Sequence, residues 1–353
     1  MQNEKLKDLL NRGLEVLRIS LQEDCNFSCI YCKPENNNLK SLSVEQFKNI
    51  IFVACKLGVN SLRLTGGEPL LSTQLEKLLY EIKLLRKIKS NPISNLQDVA
   101  LTTNGFLLSK KKADSLFKNG LDRITISLDA IDPDIFSKMI GENNKIIGRE
   151  KLYKVLEGID NSIDAGFSPK NGKLKINTVI KKDINDNQIF ELVNFARERS
   201  IEIRFIEYMD VGSANNWKSS EVFFSERIIN SLKEKYHLSN LGRYKGYTAN
   251  RWFMGDSESY VSTVSSISNP FCSDCNRLRI TSDGYAYTCL FSSEGKNLNQ
   301  WLAEPINILE LEKEIKKIWR SRDDKYSENR IKILQKDSKK YPKNHPSMAY
   351  LGG

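Results

Sequence analysis

The segment Cys25-Asn26-Phe27-Ser28-Cys29-Ile30-Tyr31-Cys32 spaces three thiols by three and then two residues, just after an apolar, strand-like run. Three thiolates so placed can hold three irons of a 4Fe-4S cluster and leave the fourth iron open, whereas a structural zinc site closes a tetrahedron with four protein ligands. An open iron can bind a small chelating molecule and pass it an electron. Cys272-Ser273-Asp274-Cys275, with Cys289 after thirteen intervening residues, is a second trio without a fourth partner. Alone it reads as three-quarters of a zinc ribbon; a second 4Fe-4S cluster, whose open iron takes a substrate heteroatom, accounts for the missing ligand.

Complementary groups accompany the thiols. Gly66-Gly67-Glu68-Pro69 follows the next strand-like run. Two glycines let backbone approach a ligand closely, and the carboxylate suits an ammonium group. Gly-Gly alone marks an ordinary turn, and the nearby cysteines are what favour a functional reading. Cys275-Asn276-Arg277-Leu278-Arg279 sets two guanidinium groups two residues apart on a strand-like run, so both face one way and can grip a phosphate. Arg18, Arg63, Lys175 and Arg204 interrupt otherwise apolar strand patterns. A cation there is costly unless paired, and a polyphosphate inside the fold would supply the partner. Cys55, within an apolar helical pattern, reads as an inert buried thiol.

Six β-type runs, at residues 15–21, 61–65, 98–102, 123–127, 174–180 and 201–206, alternate with helical periodicity at 44–57, 75–87, 110–118, 149–165 and 187–199. Alternation of this kind predicts a parallel sheet with right-handed crossovers, and six units predict a partial barrel rather than a closed eight-stranded one. The distinctive residues gather after the strands, so one rim collects most of the polar signals. Beyond about Gly212 the alternation stops. A strand-like stretch at 260–268, the second cysteine group and a helix at 308–320 predict a smaller second domain. The expected division is 1–215, 216–335 and a tail at 336–353 ending in Gly352-Gly353.

The 353 residues suffice for one large α/β unit plus a smaller one, and no apolar stretch approaches the roughly 20 residues of a membrane span. Residues 1–12 carry no apolar signal core, which with the reduced-thiol pattern predicts a cytoplasmic protein. A net charge of +10 points to an anionic partner, although lysine runs such as Lys110-Lys111-Lys112 are usually solvated helix faces. A basic zinc module for nucleic acid is thus the weaker reading, and neither a nucleic-acid nor a membrane partner is expected. With two histidines, His237 and His345, neither beside another ligand-type cluster, histidine acid–base chemistry is disfavoured.

The cysteine spacing together with Gly66-Gly67-Glu68-Pro69 resembles the radical S-adenosylmethionine (SAM) superfamily. Within it the chain is similar, nearly end to end, to the GTP 3',8-cyclase family, which begins molybdenum cofactor biosynthesis. Leu17-Arg18-Ile19-Ser20, Leu62-Arg63-Leu64-Thr65, Thr102-Thr103-Asn104-Gly105, Ser127-Leu128-Asp129, Lys175-Ile176-Asn177, Arg204-Phe205-Ile206-Glu207 with Met209, residues 271–279, Cys289-Leu290-Phe291 and Gly352-Gly353 carry that resemblance. It implies a partial (β/α)6 TIM-like barrel of the radical SAM type with a smaller C-terminal domain holding a second Fe-S cluster. It implies SAM as cofactor, cleaved reductively to a radical that abstracts the 3' hydrogen of GTP. The C3' radical then adds to C8, and reduction and protonation give 3',8-cyclo-7,8-dihydro-GTP.

By position the resemblance gives Cys25, Cys29 and Cys32 to the SAM-side cluster and Cys272, Cys275 and Cys289 to the substrate-side cluster. Tyr31, Gly67, Ser127 and Met209 would line the SAM site. Arg18, Arg63, Thr102, Lys175, Arg204, Arg277, Leu278 and Arg279 would surround GTP, and Arg277, Arg279, Gly352 and Gly353 would carry catalytic roles. An external electron donor, a downstream cyclic pyranopterin monophosphate synthase and a homodimer are further implications. Another two-cluster radical SAM enzyme, modifying a peptide or nucleotide, is the alternative. Gln22-Glu23 in place of the usual Thr-Asp, an apparent insertion at 90–97, and the absence of a Gly-Glu-Ile-Gly pattern near 260–268 are departures that remove no ligand.

Overall fold

Strands such as Ser61-Leu62-Arg63-Leu64-Thr65 bury leucines on one face and polar groups on the other, while the intervening segments place apolar residues at helical spacing. In a computed structural model that describes residues 6–32, 40–212, 217–255, 259–330 and 345–353, these segments form the expected alternation. β1 (Val16–Ser20), β2 (Ser61–Thr65), β3 (Asp98–Thr103), β4 (Arg123–Ser127), β5 (Leu174–Ile180) and β6 (Glu202–Glu207) lie side by side and parallel.

The helices between them have local reasons to form. Helix Val44–Lys56 starts at a reciprocal cap between Ser43 and Gln46 and buries Phe47, Ile50, Ile51 and Ala54. Helix Lys145–Asp164 begins before the predicted residue 149 because Asn144 caps the amides of Ile146 and Ile147. Both isoleucines are exposed, so no apolar face signals that first turn. The short helix Pro133–Met139, missed by periodicity, carries an Asp132 cap and proline in its first turn.

The predicted six-strand array is extended at both edges by the chain beyond residue 212. β9 (Ser259–Val264) adds in parallel beside β6, and β10 (Arg277–Ile280) adds in parallel beside β1. Each spends its other edge on an antiparallel neighbour: β8 (Asn250–Met254), followed outward by β7 (Leu238–Gly242), on one side, and β11 (Tyr285–Tyr287), then β12 (Lys296–Asn297), on the other. The described sheet therefore runs β12-β11-β10-β1-β2-β3-β4-β5-β6-β9-β8-β7. Since β9 and β10 have no free edge for one another, the eight parallel strands curve without pairing into a ring. Of the expected tail, the part before His345 lies outside the described residues. From Met348 to Leu351 it is a helical turn capped by Ser347.

Candidate active site between two thiol trios

Alternation sorts the strand side chains into two faces. Leu17, Leu62, Leu101, Ile126, Ile176 and Phe205 are fully buried in the core. Their alternates share the opposite, concave face: Arg18, Arg63, Thr102, Ser127, Lys175 and Arg204, joined by Arg277 and Arg279. Registers set them adjacent, with Arg18 opposite both Arg63 and Arg279, and Ser127 opposite Asn177. Leu278 is the exception among the sequence-assigned substrate residues. Its side chain, at full burial, belongs to the core face, opposite the two arginines that flank it.

The first trio follows the carboxyl end of β1. Gly66 and Gly67 are needed there for protein–protein contact rather than for open space: a Cβ on Gly67 would lie 2.1 Å from Glu23 O and 2.3 Å from Asp24 O. Glu68 is likewise spoken for, since its buried carboxylate accepts from Thr103 Oγ1 at 2.6 Å, Asn104 N at 2.7 Å and Leu70 N at 3.0 Å. It ties the β2 loop to the β3 loop instead of standing free for an ammonium ion. Burial raises its carboxyl to about 7 against those hydrogen bonds. Tyr31 donates to Asp129 at 2.8 Å beyond the end of β4, and packs with Met139 and Tyr208 against Cys29 and Cys32. Met209 follows Tyr208 and is half-buried. Burial pushes the Cys25 thiol up to about 11 and Cys32 to about 12, so these sulfurs are held as protonated thiols until a metal replaces the proton.

The second trio sits at the other end. Cys272 and Cys275 precede the amino end of β10, which runs parallel to β1, and Cys289 follows antiparallel β11. The two trios therefore flank the concave face from opposite ends of the strands, the first on the rim that collects most of the polar signals and the second across from it. Arg12 donates to Cys272 O at 2.7 Å and Arg322 to Cys275 O at 2.7 Å, while both guanidinium groups share buried Asp8. Burial alone would raise Cys275, yet the charges of Arg277 and Arg322 bring it down to about 7; Cys289, lacking such a balance, is raised to about 12.

Between the trios the charges cluster. Burial, then repulsion from Arg279, Arg277 and Arg63, holds Arg18 well below its ordinary value. The sequence alone leaves the strand cations without protein partners, but two carboxylates meet some of them. Asp98 binds Arg63 and, at 2.9 Å, Arg123. Glu202 takes Lys175 at 2.8 Å, Arg204 at 3.1 Å and Arg251 at 3.2 Å. Asp98, Arg123, Glu202 and Arg251 were all missed by motif reading; parity along the strands was the signal, because each falls on the concave-face register. Gly352 and Gly353 reach this cluster. Arg18 donates to Gly352 O and Gly353 O at 2.9 Å each, and Arg279 to Gly352 O at 3.2 Å.

Among the described residues no three His, Cys, Asp or Glu side chains gather tightly enough for a single ion. Within each trio the thiols nonetheless influence one another electrostatically. Three soft thiolates apiece, each able to take a different iron, suit 4Fe-4S clusters. Unpartnered polar atoms lie beside the first trio, at Asn26 Nδ2, and beside Ser127, at Asn177 Oδ1, as a polar ligand requires.

Comparison with known proteins shows the family. The Radical SAM superfamily matches residues 19–196, and Molybdenum Cofactor Synthesis C matches 201–328. A GTP 3',8-cyclase from Synechococcus sp. (strain CC9605) is 45% identical over 99% of this chain and 98% of its own. One from Staphylococcus epidermidis (strain ATCC 12228 / FDA PCI 1200) is 36% identical over 99% of each. Streptococcus suis SuiB bound to S-adenosylmethionine shares the fold, with a TM-score of 0.60 at 17% identity over 91% of this chain and 68% of that one. The chain belongs to the GTP 3',8-cyclase family of radical SAM enzymes.

Proposed function

We propose that this chain converts GTP into 3',8-cyclo-7,8-dihydro-GTP, the first step of molybdenum cofactor biosynthesis, using SAM and two 4Fe-4S clusters. The observation that carries the reading is the placement of two open thiol trios at opposite ends of one concave face whose cations outnumber its carboxylates. Cys25, Cys29 and Cys32 would hold the cluster that, when bound, supplies the electron for SAM cleavage; Cys272, Cys275 and Cys289 would hold the second.

The chain's own residues then bind, orient and shield. Arg18, Arg63, Lys175, Arg204, Arg277 and Arg279 supply the positive field for a triphosphate, with Thr102 as a hydroxyl partner. Tyr31, fixed by Asp129, Ser127 and Met209 line the SAM end, where Gly67 keeps the preceding backbone close. Gly352 and Gly353, pinned by Arg18 and Arg279, close the site against water, which a carbon radical requires. The division at 215/216 and 335/336, cytoplasmic residence, an external electron donor, dimerisation and hand-over to cyclic pyranopterin monophosphate synthase complete this reading. Among the described residues no helix is long and apolar enough to cross a membrane.

The test is anaerobic incubation of reconstituted protein with GTP, SAM and dithionite. Formation of 5'-deoxyadenosine together with a cyclised nucleotide is expected. SAM cleavage that neither depends on GTP nor yields a nucleotide product sinks the assignment.

A further inference from the structure

Arg251 comes from β8, outside the parallel array, yet it joins the concave face. Its register partner Ser262 stands opposite Arg204 on β6, and Ser262 Oγ donates to Glu202 at 3.0 Å. Arg251 Nη2 lies 3.2 Å from Glu202 Oε2, and its guanidinium carbon sits 4.1 Å from the Tyr260 ring centroid. The ring fixes the plane of the fork while the carboxylate fixes one edge.

Two features of this corner are unfinished. The Nε–H of Arg251 is shielded from solvent and has no acceptor, a costly state for a charged donor. Furthermore, Glu202 alone serves three cations, Lys175, Arg204 and Arg251, so the corner keeps a local positive excess. One incoming anion with several acceptor oxygens answers both: it takes the orphan N–H and balances the charge.

We infer that Arg251 is a further ligand for the substrate's triphosphate, and that Glu202 is the positioning carboxylate that aims it alongside Lys175 and Arg204. The assignment rests on the proposed use of GTP. It adds a contact from the C-terminal half of the chain, so the phosphate pocket is completed only when β8 and β9 are docked on β6.

The experiment uses the full chain with both clusters, titrated anaerobically with GTP and separately with inorganic tripolyphosphate, in wild type and R251Q. R251Q is expected to weaken both by about tenfold, as the loss of one charge-assisted contact, with SAM affinity and iron content unchanged. R251K, keeping charge without the fork or the stacked plane, should recover only part of that loss. Affinity equal to wild type for both anions in R251Q overturns the inference. On the unmutated protein, phenylglyoxal labelling mapped by peptide mass spectrometry gives an independent readout: tripolyphosphate should protect Arg251, and unchanged labelling overturns the assignment even if R251Q fails to fold. A wild type that binds tripolyphosphate through Arg251 but does not bind GTP would instead defeat the functional reading and leave this contact standing.

Discussion

Replacing Gly67 by alanine should empty the SAM-side cluster site while sparing the other. The new Cβ would fall 2.1 Å from Glu23 O and 2.3 Å from Asp24 O, both backbone atoms immediately before Cys25. Restoring an ordinary contact of 3.4 Å requires that backbone to retreat by about 1.3 Å. Metal ligation tolerates roughly 0.2 Å, so the displacement exceeds what Cys25 can absorb while keeping its sulfur on iron. The second trio lies at the far end of the strands and should not feel it. Iron content should drop from about eight to about four atoms per chain, and 5'-deoxyadenosine formation should fall by more than about 100-fold. Overpacking of this kind costs about 1–3 kcal/mol, so the melting temperature should fall only by several degrees. A Gly67→Ala protein that keeps wild-type iron and SAM cleavage would refute the reasoning, because it would mean the β2 loop does not brace the cluster loop.

Other outcomes follow from the same geometry. Gly352→Ala puts a Cβ 2.1 Å from Thr65 Oγ1 and holds an L-residue at a φ of +65°, a conformation that costs about 1–2 kcal/mol. Hydrogen exchange at 345–353 should accelerate and the GTP product fall, with both clusters retained. Burial, then repulsion from Arg204, lowers Lys175 to about 8 against the pull of Glu202. Its ammonium is present below that pH and lost above it, so GTP affinity should decline as pH rises through about 8. Lys175→Arg should flatten that profile in an anaerobic binding titration. Cys275→Ala should leave about four irons and permit SAM cleavage without cyclised nucleotide, measured by iron assay and chromatography.

Most of the parallel array was legible because its strands are short apolar runs between helices with a clear apolar face. The predicted 110–118 and 308–320 match the observed helices Lys110–Lys118 and Ile308–Arg320 to the residue. The edges were harder to read. β7 is largely exposed and β8 only half-buried, so neither shows the apolar alternation that marks a strand. Their place is decided by hydrogen bonding to β9, a tertiary effect. At the site, motifs located the thiols but not the carboxylates that hold the cations. Asp98 and Glu202 stand at the first positions of their strands, where a lone acidic residue looks like a strand boundary. Only the register, which brings Glu202 opposite Lys175, reveals their purpose.

The sheet order has a consequence for how the molecule matures. The outer neighbour of β1 is β10, which begins at Arg277, and Arg18 finds its carbonyl partners at a sequence separation of 334 and 335 residues. Contacts so distant form late in folding. The concave face between the two thiol trios is therefore sealed only when segments far apart in sequence meet, so loosening β10 or the last described residues is expected to unseat the site before it unfolds the six-strand array.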